Sequence, residues 1–152
     1  MKKILVLLVV SIIIGCHKQN YDAQKQRCIS LIEQGEKYTR LAASARYKIW
    51  SEKFTPTIND ETQLKVIEDT YNNNCQEIKQ YLDSIATEIK ALKGADIDWY
   101  NDIILLQTSL EEHYKLLYTQ STSLDRYWGK HKILQSEIDN NIIAFKQNYL
   151  KN

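Results

Sequence analysis

The chain of 152 residues is poor in the two residues that punctuate helices, with 1 Pro and 4 Gly. Turns must therefore be few and the segments between them long. Phenylalanine is nearly missing: 2 Phe stand beside 10 Tyr and 3 Trp. Almost every aromatic ring thus carries a polar end, which suits half-buried helix faces and contact surfaces. An excess of one charge is missing too. The formal net charge of +1 leaves no electrostatic reason to expect a nucleic acid partner. Strand-like alternation, internal repeats and low-complexity tracts are all absent. What remains, 43% hydrophobic and 26% charged residues, fits one globular or coiled-coil domain rather than a disordered chain.

The hydrophobicity is unevenly placed. Lys2 and Lys3 precede an apolar run from Ile4 to Ile14, interrupted only by Ser11. As a helix this run spans ~17 Å at ~1.5 Å per residue. A bilayer core needs ~30 Å. The run therefore reads as the apolar region of a signal peptide and not as a membrane span. It ends at Ile13-Ile14-Gly15-Cys16. This ending resembles the lipobox of bacterial lipoproteins: an aliphatic residue, a tolerant position, a small residue, then cysteine. Ile14 departs from the small residue usual at its position. The resemblance covers residues 1–16 only. It implies that a lipid such as palmitate is carried at Cys16, that residues 1–15 are cleaved away, and that the protein is anchored to a membrane. Losing Lys2 and Lys3 would leave 18 basic against 19 acidic residues, a formal charge of −1. The lipid would then supply the membrane affinity, stable with two or three acyl chains and marginal with one. An ordinary secretory signal with a chance cysteine is the competing reading.

Residues 16–26 read as the lipidated Cys and a short polar tether, and residues 27–152 as an all-α, elongated antiparallel helical bundle. A first helix is expected from about Tyr21 to Lys53. Cys28, Leu31, Gly35, Tyr38, Ala42, Ala45 and Ile49 recur at spacings of three and four, a heptad seam. Its small residues admit a close neighbour but bury little area. Thr55-Pro56 ends that helix, because proline disfavours helix in the residue before it. Thr57 with Asp60 resembles a capping box for the next. The second helix, about Ile58 to Lys93, has the apolar face Leu64, Ile67, Tyr71, Cys75, Ile78, Leu82, Ile85, Ile89 and Leu92, with Gly94 fit for the left-handed position beyond its end. Asn72-Asn73-Asn74 interrupts it at a cost of roughly 2 kcal/mol in helix propensity. A locally weak helix is expected there, with a kink or break as the alternative. A third helix starts near Asp96 or Asp98. Its apolar phase runs through Trp99, Ile103, Leu106, Leu110, Leu117 and Leu124, and on through His131, Leu134, Ile138 and Phe145. Either one very long helix continues to the C terminus, giving three, or the chain turns at Gly129 into a fourth.

Chemistry-bearing patterns are scarce. His113 and His131 stand 18 residues apart, ~27 Å along a straight helix. They can meet only if the chain folds back. No H-E-x-x-H, Glu-x-x-His pair, G-x-S-x-G or glycine-rich phosphate loop is present. No metal ligands, cofactor site or catalytic residues are assigned on this basis. Cys28 and Cys75 could form a disulfide closing a loop of nearly fifty residues, worth on the order of 4 kcal/mol. The hairpin register argues otherwise, since Cys28 should face a residue in the early eighties. Two apolar seam cysteines are the alternative. Trp50, Trp99, Tyr127 and Trp128 lie near helix ends. They read as inter-helix packing or as a partner surface, where Tyr and Trp serve as anchors. The functional expectation is a non-enzymatic envelope protein, held to the membrane by lipid and acting by binding a protein partner. A purely structural lipoprotein is the second reading, and a small-ligand carrier the third.

Overall fold

A computed structural model of the chain describes residues 2–54, 61–119 and 123–150, with side chains described from Tyr21 onward and not for 53–54. The protein is all-helical: no strand occurs among the described residues. The described helices are α1 (Lys2–Phe54), α2 (Glu61–Ala91), α3 (Tyr100–Leu116) and α4 (Leu124–Tyr149). Cys16 lies where side chains are not described, and the expected capping box at Thr57 and Asp60 lies outside the described residues.

The helices run up, down, up and down. Arg27 faces Glu88 while Tyr38 stacks on Tyr81, so α1 and α2 are antiparallel. Trp99 meets Phe145 and His113 meets His131, so α3 and α4 are antiparallel as well. The α1 helix touches all three others. It therefore buries more than the expected seam. A second stripe at the same spacing, Ile29, Ile32, Glu36, Thr39, Ala43 and Arg46, is buried beside it. Gly35 leaves no room for a side chain. A Cβ placed there would stand 2.7 Å from a methyl of Leu110 and 3.5 Å from Tyr81.

Two apolar clusters result. The lower one joins Cys28, Ile29 and Ile32 to Ile85, Leu92, Trp99, Ile103, Leu106, Leu110, Ile138, Ile142 and Phe145. The upper one is smaller: Ala42, Ala43, Cys75, Ile78 and Leu117. Each Leu or Ile so buried contributes roughly 1.5–3 kcal/mol. The lower cluster holds most of these large aliphatics, and the Gly/Ala part of the seam lies toward the upper.

Several boundaries differ from the sequence reading. Helix α1 already includes Tyr21 to Gln26, and Tyr21 packs against the lower cluster. The packed part thus begins ahead of the expected boundary at residue 27. Helix α2 continues through the three asparagines without a break. Gly94 adopts φ +88°, the left-handed conformation foreseen for it. The single long third helix does not form, and Gly129 is not its turn. The chain leaves α3 at Leu117 and enters α4 at Leu124, where Ser123 accepts the Arg126 backbone N–H. Gly129 is inside α4 with open space around it.

Candidate functional site

Between the two clusters lies a polar layer, built where the second stripe of α1 meets α3 and α4. Glu36, His113 and His131 are 1%, 0% and 2% exposed. His113 Nδ1 bonds Glu36 Oε2 at 2.9 Å, and His113 Nε2 shares a hydrogen bond with His131 Nδ1 at 2.5 Å. The two rings are tilted against each other with centroids 4.6 Å apart, and Trp128 packs on His131 at 4.9 Å. Burial, then the neighbouring His113, Arg40 and Lys132, pushes His131 down to about 4. It is therefore neutral at physiological pH. Thr39, also fully buried, donates to the Gly35 carbonyl four residues back.

Outside this layer Arg40 clamps α1 to α4. Its guanidinium reaches Glu36 at 3.1 Å and also bonds Asp139. Lys146 pairs with Glu33 at 2.5 Å. These charges line a cleft of about 420 Å³ between α1 and α4, floored by Ile142 and rimmed by Ile143. Neither histidine lines it. The carboxylate–imidazole–imidazole chain has the donor types of a proton relay, yet no ring nitrogen faces the cleft. Among the described residues no group of three or more His, Cys, Asp or Glu side chains could hold a metal ion. Nor is any described helix long and apolar enough to cross a membrane.

The upper end of the bundle is aromatic. Arg46 donates to the Leu116 carbonyl at 3.0 Å and the Thr119 carbonyl at 2.7 Å, closing the exposed end of α3. Its guanidinium lies over Trp50 at 4.4 Å and Tyr127 at 5.2 Å. Tyr47 packs on Trp128 at 5.0 Å, and the Lys132 ammonium stands 5.9 Å from the Trp128 ring. The Tyr71 hydroxyl donates to the Leu117 carbonyl at 3.0 Å.

The residues singled out from sequence are placed as follows. Trp99 is 3% and Tyr127 0% exposed, so these two rings belong to the interior and offer no partner surface. Trp99 plugs the lower cluster against Phe145, and burial raises the Tyr127 phenol to about 12. Trp50 and Trp128 are half-buried, and with Tyr47 they leave aromatic edges at the upper end. Cys28 and Cys75 are both free and buried. The suggested disulfide is not formed: Cys28 is in the lower cluster and Cys75 in the upper, beside Ala42, about 20 Å further along α1 at ~1.5 Å per residue. Both pack as small apolar groups. The histidines do meet, because the chain folds back between α3 and α4.

Sequence reasoning missed Glu36, Arg40 and Arg46. The signal was available in the second stripe of α1, where a glutamate and an arginine occupy positions in phase with Ile29 and Ile32. The chain matches no family model, no curated protein and no solved structure.

Proposed function

We propose that this chain is a lipid-anchored bacterial envelope protein whose helical domain acts by binding a protein partner, without catalysis. One observation carries the anchor: Ile13-Ile14-Gly15-Cys16 closing an apolar run too short to span a bilayer. Acylation of Cys16 then supplies the membrane affinity. The mature domain is an elongated antiparallel bundle of four helices. In a Gram-negative host the anchored domain resides at the outer membrane and faces the periplasm. His17 is the reason, since lipoproteins held at the inner membrane commonly have Asp after the Cys.

Binding is favoured over chemistry by the state of the acid–base cluster. Glu36, His113 and His131 are bonded in a chain, the second Glu36 oxygen is taken by Arg40, and all three side chains are almost fully buried. The free aromatic edges of Tyr47, Trp50 and Trp128 instead gather at one end of the bundle. Such rings anchor interfaces at ~2 kcal/mol or more when fully desolvated. With a mature charge near zero, association gains little from long-range steering and depends weakly on salt.

Cys16→Ser tests the anchor. Membrane fractionation and palmitate labelling should show the variant unlabelled and either released or unprocessed, and unchanged labelling would overturn the reading. Trp128→Ala tests the surface. Pull-down of the envelope partner should lose it while the thermal melt stays close to wild type; a variant that melts early and keeps its partner would return Trp128 to the core.

A further inference from the structure

The buried polar layer and the aromatic end of the bundle are joined by side chains in contact. Glu36 of α1 bonds His113 of α3, and His113 shares a hydrogen bond with His131 of α4. Trp128, one turn earlier on α4, packs on the His131 ring at 4.9 Å. Tyr47 of α1 packs on Trp128 in turn, at 5.0 Å. The series thus begins and ends on α1 and draws on three helices. Glu36, His113 and His131 are buried, whereas Tyr47 and Trp128 are half-buried and reach the surface.

His131 is poorly placed to carry a charge. Among the described residues, α4 touches α1 and α3 but not α2. The groups facing His131 are Arg40 from α1, His113 from α3 and Lys132 on its own helix, and all three disfavour a proton on it. Two carboxylates lie nearby, and both are engaged. Asp139 bonds Arg40, and Glu36 bonds Arg40 and His113, with the His113 ring between Glu36 and His131. A buried imidazolium without a paired anion must find water. Of the two rings packed on His131, His113 is fully buried and Trp128 is not. The short way to water therefore leads past Trp128.

We propose that His131 is a proton-operated switch for the aromatic surface: proton uptake by His131 turns Trp128 outward, away from Tyr47, and so dismantles the α1–α4 part of that surface. Trp50 stays in place, held by the Arg46 guanidinium and the Tyr127 ring. The switch rests on the reading of these rings as a partner site and names the regulation of that site, assembled at neutral pH and taken apart in acid. Linkage sets its size. His131 is held down to about 4 while Trp128 packs on it. With Trp128 turned out and water admitted, it titrates near ~6.5. The ratio of closed to open forms is thus at its full value above that pH and falls about twentyfold from pH 7 to pH 5.

The test uses the full chain, labelled with fluorotryptophan and held in a zwitterionic detergent micelle, and it needs no partner. Trp50, Trp99 and Trp128 each give a fluorine signal, assigned by substituting the rings one at a time with Phe. A neutral gadolinium chelate in the buffer broadens the signal of any indole that meets solvent. Broadening at Trp128 should rise severalfold from pH 7 to pH 5, a response that protonation of a neighbour without movement does not produce. Broadening at Trp50 and Trp99 should stay constant, and His131→Gln should leave Trp128 unresponsive. Should the Gln variant not fold, the comparison of Trp128 with Trp99 in the wild type still decides. Constant broadening at Trp128, an equal rise in His131→Gln, or a rise matched at Trp50 and Trp99, as opening of the whole bundle gives, would each overturn the switch. Because no partner is present, these outcomes are separate from the Trp128→Ala pull-down, which tests the surface itself.

Discussion

Acidification from pH 7 to pH 5 should weaken the fold through one side chain. Burial, and then the neighbouring His113, Arg40 and Lys132, hold His131 down to about 4. In the unfolded chain it titrates near 6.5. Between these values the unfolded state binds a proton that the folded state refuses. Stability from this residue is thus fully present above pH 6.5 and is lost as pH falls toward 4. At ~1.4 kcal/mol per unit, the loss by pH 5 comes to roughly 2 kcal/mol. With a urea slope of ~2 kcal/mol per molar, the midpoint should fall by about 1 M. The assay is urea unfolding of residues 21–152 by circular dichroism at pH 7, 6 and 5, beside His131→Gln. The glutamine amide can donate to or accept from His113 Nε2 and does not titrate. Its midpoint should change much less over the same range, since most carboxylates titrate lower. Parallel pH dependence in both proteins would refute the assignment of a buried, neutral His131.

Other consequences are open to the same methods. Gly35→Leu should cost at least ~3 kcal/mol by thermal melt, because its side chain must displace Leu110 and the Tyr81 flank. Gly35→Ala should be nearly neutral, its gain of about 1 kcal/mol in helix propensity offset by moving one Leu110 methyl. Arg46→Met should lose ~2–3 kcal/mol, since the Leu116 and Thr119 carbonyls lose their charged donor while Trp50 and Tyr127 keep an apolar neighbour. Cys28, pushed up to about 11 by burial and the nearby Glu88, should resist iodoacetamide at pH 8 in the native protein and react on unfolding; rapid native labelling would contradict its burial.

The helical architecture was readable because long helices leave a strong periodic trace. The apolar faces from Cys75 to Leu92 and from Ile103 to Leu117 are the faces that pack. The turn between α3 and α4 was not readable, and the reason is numerical. Ile103, Leu110, Leu117, Leu124, His131, Ile138 and Phe145 are spaced by sevens, so the connection preserves the heptad phase and a single helix fits the pattern equally well. Gly129 attracted the turn on propensity alone, whereas Ser123, in the Ser/Thr-rich stretch, caps the helix that follows. The polar layer was hidden for a different cause. Periodicity analysis scores apolar positions, and Glu36 and Arg46 enter the core as polar members of an apolar stripe. Their burial depends on partners seventy or more residues away, which a local window does not contain. The aromatic residues divided similarly: Trp99 and Tyr127 are interior and Trp50 and Trp128 are not, and the adjacent pair Tyr127 and Trp128 differ only in the face of α4 they occupy, which depends on where the other helices pack.

Helix α1 also sets a length scale. It runs unbroken from Tyr21, seated against the lower cluster, to Trp50 at the opposite end, and 29 steps of ~1.5 Å make this about 44 Å. In the lipid-anchored reading, Cys16 is only a few residues from Tyr21. The bundle is then a mast stepped at the bilayer, with the α2–α3 connection and the end of α4 near its foot. Tyr47, Trp50 and Trp128 ride at the masthead. A partner recognised there has to extend some tens of ångströms from the lipid surface, or be tethered to an opposing one. Truncating whole heptads from the helices would lower the masthead in steps of ~10 Å, so in this reading the spacing between anchor and partner is adjustable through helix length.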